Sequence, residues 1–341
     1  MEQVYRRGGH EWRPFSLAAG VKCRGYSLGL QRVLTDFGAD GSFEDGAAKV
    51  KEHYGIEVPI SAVRAITLQH AMRMRQEQEL KRESQWPEQG VEQVIAETDG
   101  CLVPIVVIPD TEKRGDRRRC RQVDWQEARL SLARPDGAVS KQYQATMQSA
   151  DEAGAQLLDC VIAVGGGVNT KIHCVGDGAP WIVNQVQEKL GESATYLIDF
   201  YHVSEYLSAA ADQIVGPAGK TAWLHQQQER LKHNRVSEVL SHLRAHQEPE
   251  EIADPQAPVR ACERYLRNRL PYLDYQHALA ADLPIGSGEI ESGHRSVIQA
   301  RLKLSGAWWK PANADAMLAL RTLRANGQWN AYWDDCRQAA A

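Results

Sequence analysis

No stretch of this chain is apolar for long enough to cross a bilayer, and its opening residues, MEQVYRRGGHEWRPF, lack the apolar core of a secretion signal. The expectation is an intracellular protein with no membrane partner. Cysteine is sparse and unorganised. The seven cysteines (Cys23, Cys101, Cys120, Cys160, Cys174, Cys262 and Cys336) are odd in number and never spaced C-x-x-C. Neither a disulfide framework nor a Cys-rich zinc site is indicated, and the cysteines read as reduced thiols, mostly buried. Internal repeats and low-complexity tracts are also missing. Nor is there an excess of positive charge: 44 acidic against 40 basic residues give a net charge of −4, which argues against a protein that coats nucleic acid over its whole surface.

What is present is ordinary globular material. A chain of 341 residues with 43% hydrophobic and 25% charged content can bury one large core or two to three smaller ones. Its basic residues are clustered, in KRGDRRRCR (113 to 121, with Arg117, Arg118 and Arg119), near the start, and in HRSVIQARLKLSGAWWK near the end, while acids gather around 248 to 254. Local basic patches on an otherwise acidic body are therefore expected, although any one patch also reads as a solvated face.

Residues 1–88 read as helical with a linker. Phe43, Ala47, Val50 and Tyr54 form a helix stripe that stops at Gly55, and Ser61 offers an N-cap for AVRAITLQHAMRM. The pair resembles a helix-turn-helix, in which Arg64, Thr67 and Leu68 would face a DNA groove; an ordinary helical hairpin fits equally well. From 89 to 203 the pattern turns to strands and then to strand-helix units. VEQVIAETDGCLVPIVVI is rich in β-branched residues and is interrupted by a turn-capable Asp-Gly, and WQEARLSLAR alternates up to PDG. Helical MQSADEAGAQLLDCVIAVG, strand KIHCVG, helix IVNQVQEKLG and strand ATYLIDF follow, which predicts a mixed α/β sheet with helices on its faces. Residues 204–283 carry helical signals almost alone and read as an all-helical insertion. Residues 284–341 close the chain with two amphipathic helices.

Three acidic positions stand at element ends among small neighbours: Asp99 in AETDG, Asp177 in VGDGAPW, and one glutamate of GSGEIESGH. Asp177 closes a strand, and in α/β sheets ligands bind at the carboxyl ends of strands. Each aspartate alone reads as a turn-forming Asp-Gly. Converging carboxylates would instead favour a divalent metal, because unpaired buried charge is costly. At about 100° per residue, Glu291 shares the face of Ile290, Val297, Ile298 and Leu302, and Glu289 points away. Arg301 also falls inside that stripe. His294 lies near its centre, either as a contact for substrate phosphate or as a hydrogen-bonded core histidine. Trp308 and Trp309 sit among basic residues, where they are either core or a stacking surface for unpaired bases.

Taken in order, AETDG, GDGAPWI, YLIDFYHVSEYL and GSGEIESGHRSVIQARLKLSGAWW resemble the transposases of ISKra-type bacterial insertion sequences and, more distantly, the Mutator-like branch of the DDE superfamily. The resemblance covers most of residues 91 to 333. It implies an RNase H-like catalytic core, interrupted by a helical insertion, in which Asp99, Asp177 and Glu291 bind two Mg2+ ions, with Mn2+ able to substitute. Asp199 and His202 match a C/D-x-x-H motif of the Mutator-like relatives, which gives them, with His294 and Arg295, a supporting role. Arg64, Thr67, Arg117, Arg118, Arg119, Arg301 and Lys303 become DNA-binding candidates. The implied partners are double-stranded transposon ends and target DNA and further copies of the chain, in a bacterial cytoplasm at the nucleoid.

Carboxylates suit this chemistry because magnesium prefers oxygen ligands, and two such ions can serve both the attacking and the leaving oxygen of an in-line phosphoryl transfer. Water as nucleophile nicks the element's end, and a DNA 3′-hydroxyl joins it to target. Two alternatives stay open at this point: a nuclease on the same core that never joins strands, and a silent DNA-binding protein derived from a transposase.

Overall fold

The computed structural model describes residues 3–8, 10–18, 25–82, 85–107 and 121–339. The candidates Arg117, Arg118 and Arg119 lie outside the described residues. A small antiparallel pair, β1 (Tyr5–Arg7) and β2 (His10–Trp12), and a short α1 (Pro14–Ala18) precede three packed helices, α2 (Leu28–Asp40), α3 (Phe43–Tyr54) and α4 (Ile60–Leu80). Ser42 and Asp45 form a capping box at the start of α3, and Gly55 ends it at φ 65°, the left-handed conformation that glycine adopts without steric cost. Helix α4 starts earlier than its sequence signal: Pro59, and not Ser61, occupies the N-cap.

Helix α4 also corrects the expected DNA contacts. Thr67 is fully buried, its hydroxyl donating to the Leu34 carbonyl at 3.2 Å, and Leu68 is buried too. Only Arg64 of that trio faces solvent. The reason is that α4 is a two-sided strut. One flank packs on α2 and α3, and the other reaches the body, where Arg75 donates to the Ala145 carbonyl at 2.6 Å and pairs with Asp315.

The body is a five-stranded mixed sheet, β3 (Gln93–Val107), β4 (Gln122–Pro135), β5 (Gln142–Thr146), β6 (Lys171–Gly176) and β7 (Ala194–Ile198), in the order β5-β4-β3-β6-β7. Strands β3, β4 and β5 are antiparallel neighbours, and β3, β6 and β7 run parallel. Asp-Gly does not interrupt β3, because Asp99 and Gly100 stay in register with Leu130 and Arg129 of β4. Gly100 is there for clearance: a Cβ would lie 2.1 Å from the Glu127 carboxylate. Helices α5 (Ala150–Ala163) and α6 (Pro180–Leu190) cover one face of the sheet through Leu157, Cys160, Ile182 and Val186.

After β7 the chain leaves the sheet as α7 (Phe200–Ile214), α8 (Gly216–Lys232), α9 (Val236–Arg244), α10 (Pro258–Arg267) and α11 (Tyr275–Ala280), which pack round their own core of Leu207, Leu231, Leu243, Leu266 and Tyr275. It returns as α12 (Gly288–Gly293), a π-helical run at His294–Gln299, and α13 (Ala300–Leu302), then ends in α14 (Pro311–Ala325) and α15 (Trp329–Gln338). These last elements, with α4, cover the sheet's other face through Val297, Leu302, Met317, Leu320 and Trp333. Arg301 belongs to this core. It is 2% exposed, donates to the Gly38 carbonyl at 2.9 Å, and lies over the rings of Phe43 and Trp309, so the expected DNA contact is corrected to a joint between α13 and α2. Lys303 remains exposed. No helix among the described residues is long and apolar enough to cross a membrane.

His70 of α4 joins the N-terminal helices to the C-terminal ones: its ring is bonded to the Tyr332 hydroxyl (2.7 Å) and Gln31 Oε1 (2.9 Å) and packs 4.5 Å from Trp333. Burial, helped by the charge of Arg73, lowers its pKa from 6.5 to about 4. A histidine buried neutral takes up a proton on unfolding, so its stabilisation is whole above pH 6.5 and is lost as pH falls towards 4. His70→Gln is therefore expected to melt lower than the parent at pH 8 but to lose less between pH 6.5 and 4. Melting temperatures across that range check this, and parallel curves would refute it.

Candidate active site

Alternation along β3 puts Glu97, Asp99 and Cys101 on one face, the face covered by the late helices. The Glu97 carboxylate accepts the Ile290 backbone N–H at 2.7 Å, and Asp99 Oδ2 lies 3.3 Å from His294 Nε2, close enough for an ion pair but poorly aligned for a hydrogen bond. In the parallel pairing Glu97 stands beside Val175 of β6, so Asp99, two residues on, comes level with Asp177 just past the end of β6. Both aspartates are partly exposed.

The turn at Asp177 is tightly made. Its Oδ1 accepts the Ala179 N–H at 2.8 Å, its carbonyl accepts the Tyr265 hydroxyl at 2.6 Å, and Gly178 follows at φ 79°. A Cβ at residue 178 would lie 2.9 Å from Arg269 Nε, whose own donation to the Gly178 carbonyl ties the turn to the helical insertion.

Glu291 lies on the rim of a groove lined by Asp199, Tyr201, Ile285, Gly286 and Glu289. It is exposed, while its neighbours Ile290, Gly293 and His294 are buried. The uniform 100° projection fails here for a physical reason: the π-helical run from His294 widens the turn and shifts the faces of everything that follows. Glu289 does point elsewhere. It bridges Arg134 (2.8 Å) and Lys141 (2.6 Å); partial burial raises its pKa, but the two cations outweigh that and hold it low.

Asp199 caps α7, accepting the N–H groups of Tyr201 (2.6 Å) and His202 (3.1 Å), and its other oxygen takes both the backbone N–H (2.7 Å) and the hydroxyl (2.5 Å) of Ser287. It is 4% exposed, and all its acceptors are turned to backbone and serine. His202 faces the insertion, packed on Tyr206 and Tyr265 and 3.7 Å from Glu205. Arg295 is exposed one residue after His294. Burial lowers the His294 pKa, but Asp99, with Cys101, outweighs it and raises the value to about 9. His294 is therefore a cation at neutral pH.

Glu97 is the residue that sequence reasoning passed over. It is 1% exposed, and burial pushes its carboxyl up to about 8 despite the Ile290 hydrogen bond. The signal was available: in AETDG it stands two residues before Asp99, on the same face of any strand. As hard oxygen donors, Asp99 and Asp177 fit a divalent cation such as magnesium. Glu291 stands apart from them, and among the described residues no three His, Cys, Asp or Glu side chains are gathered to hold a metal ion.

No family model matches the chain, and no curated protein matches it. Among solved structures, the Drosophila P element transposase strand transfer complex is similar over 94% of this chain and 83% of that one, at 9% identity and a TM-score of 0.34. A superposition that loose says nothing about what either chain does.

The Glu97 contact is open to direct test. Glu97→Ala leaves the buried Ile290 N–H without a partner and is expected to cost about 1–3 kcal/mol. Glu97→Gln, which keeps an oxygen acceptor, should cost less. Denaturant unfolding measures both, and equal losses would mean that the hydrogen bond contributes nothing.

Proposed function

We propose that this chain is a DNA transposase of the DDE class, an RNase H-like enzyme that cuts and joins the ends of an ISKra-type insertion sequence. The observation that carries the reading is the levelling of Asp99, within β3, with Asp177, just past the end of the adjacent parallel strand β6. The mixed sheet, with three antiparallel and then two parallel strands, supports an RNase H-like core.

In this reading Asp99 and Asp177, with Glu291 brought in from α12, would hold two Mg2+ ions, which would lower the cost of generating the attacking oxygen and of releasing the leaving one; Mn2+ would substitute. The remaining roles belong to the chain's own residues. His294, a buried cation beside Asp99, fixes the direction of that carboxylate before DNA arrives. Asp199 orients the turn ahead of Glu291 and does not touch DNA, since its oxygens are already committed. The exposed Arg295, Lys303 and Arg64 are free to meet phosphates of the transposon end or target, and synapsis of two ends calls for more than one copy of the chain.

Duplex DNA carrying the element's ends, incubated with the chain and MgCl2, tests the reading. Asp99→Asn, Asp177→Asn and Glu291→Gln are each expected to lower cleavage by on the order of a hundredfold or more. End binding in a mobility-shift assay should stay close to that of the parent. Undiminished cleavage by any of the three removes that residue from the site. Hydrolysis with no 3′-end joining would identify a nuclease, and binding with no cleavage by the parent in Mg2+ or Mn2+ a silent DNA-binding protein.

A further inference from the structure

Strands β3 and β4 outrun their sheet. Their ladder runs from Val94 and Pro135 to Val107 and Gln122, yet β6 accompanies β3 only as far as Glu97, and β5 accompanies β4 only between Arg129 and Ala133. From Cys101 and Ala128 outwards the two strands form an arm. One of its faces is core, with Val103, Ile105 and Ala128 fully buried.

On the other face alternation places Leu102, Pro104 and Val106 beside Glu127, Trp125 and Val123, with Arg121 following. Leu102 is 52% exposed and Trp125 56%. The loop after α13 adds to this face. The Val106 N–H donates to the Trp309 carbonyl at 2.7 Å, and the Trp309 N–H donates to the Pro104 carbonyl at 3.2 Å, so the loop is strapped along the free edge of β3. That strap sends consecutive tryptophans to opposite sides: Trp309 into the core, and Trp308, 45% exposed, against the Arg121 guanidinium at 4.4 Å.

The result is a platform with two exposed indoles and an arginine around a buried Pro104, and Lys303 and Lys310, which bound the loop that carries Trp308, are exposed too. Among the described residues the one acid that alternation puts on this face, Glu127, is already paired with Arg129. Exposed aromatic faces with cations beside them, on a chain whose net charge is negative, match the chemistry of unpaired nucleotides: bases stack on the rings and phosphates meet the cations. We propose that this arm binds single-stranded DNA, such as the unpaired strand at an opened element end, with Trp125 and Trp308 as stacking surfaces and Arg121, Lys303 and Lys310 as phosphate contacts. The assignment of DNA as partner rests on the function proposed above, while the platform rests only on the arm's own geometry.

Binding of a fluorescein-labelled oligo-dT of about ten nucleotides to the full chain, read by anisotropy in EDTA so that no cleavage can occur, separates the two. Trp125→Ala and Trp308→Ala are each expected to weaken binding on the order of tenfold, and Trp125→Phe and Trp308→Phe to restore most of it. Arg121→Ala should flatten the salt dependence. If cleavage fails yet these effects appear, the platform stands without the transposase. Full binding by a Trp125→Ala, Trp308→Ala double variant with an unchanged melting temperature would overturn the proposal. So would a parent chain that sediments as a dimer and is made monomeric by the same pair of substitutions, since the arm would then be a self-association surface.

Discussion

One carboxylate holds the architecture of this site together. Between β7 and α12 the chain makes a long helical excursion, and the residues that leave the sheet must meet the residues that return to it. Asp199 makes that meeting: one oxygen caps the departing α7, and the other takes both the N–H and the hydroxyl of the returning Ser287. A backbone bond from Phe200 N to the Ile285 carbonyl (2.8 Å) and a bond between the His173 ring and the Pro284 carbonyl (2.8 Å) reinforce the same seam. With exit and return pinned, the insertion behaves as a closed loop whose length costs little, because closure entropy grows only logarithmically. Its apolar core, which takes in Leu197 and Ile198 of β7, then stabilises it against the sheet's edge strand.

Pinning at Ser287 would leave α12 free to swing about one point. Glu97 supplies the second. By accepting the Ile290 N–H from the centre of the sheet, it fixes the helix three residues further on, while Glu289 reaches sideways to Arg134 and Lys141. Three carboxylates thus constrain the segment that presents Glu291, and none of the three need take part in any chemistry. Buried carboxylates of this kind are costly unless satisfied. Here each is satisfied by backbone N–H groups, a serine or an ion pair, which makes the arrangement rigid as well as tolerable.

Much of this was legible in the sequence, and the parts that were not share a cause. The stripe ending at Gly55, the strand ending at Gly176 and the run of helices after β7 are local patterns, and local patterns suffice when an element meets one environment. Thr67 and Arg301 misled because each meets two. A polar residue on a helix reads as solvent-facing, yet Thr67 is covered by α2 and Arg301 by α2, Phe43 and Trp309, and both are satisfied by carbonyls that only the tertiary fold brings near. Asp99-Gly100 misled for the converse reason: its turn propensity is real but weak beside an unbroken cross-strand ladder. The π-helical run after Gly293 leaves no compositional trace, so no projection of Glu291 from spacing alone could have been right in detail.

Glu97 and Asp99 show how one strand face divides labour between neighbours two residues apart. Glu97 is sealed under α12, where it accepts the Ile290 N–H, and burial carries its carboxyl up to about 8. Asp99, nearer the strand's free end, keeps a third of its side chain open and has the buried His294 cation as its neighbour.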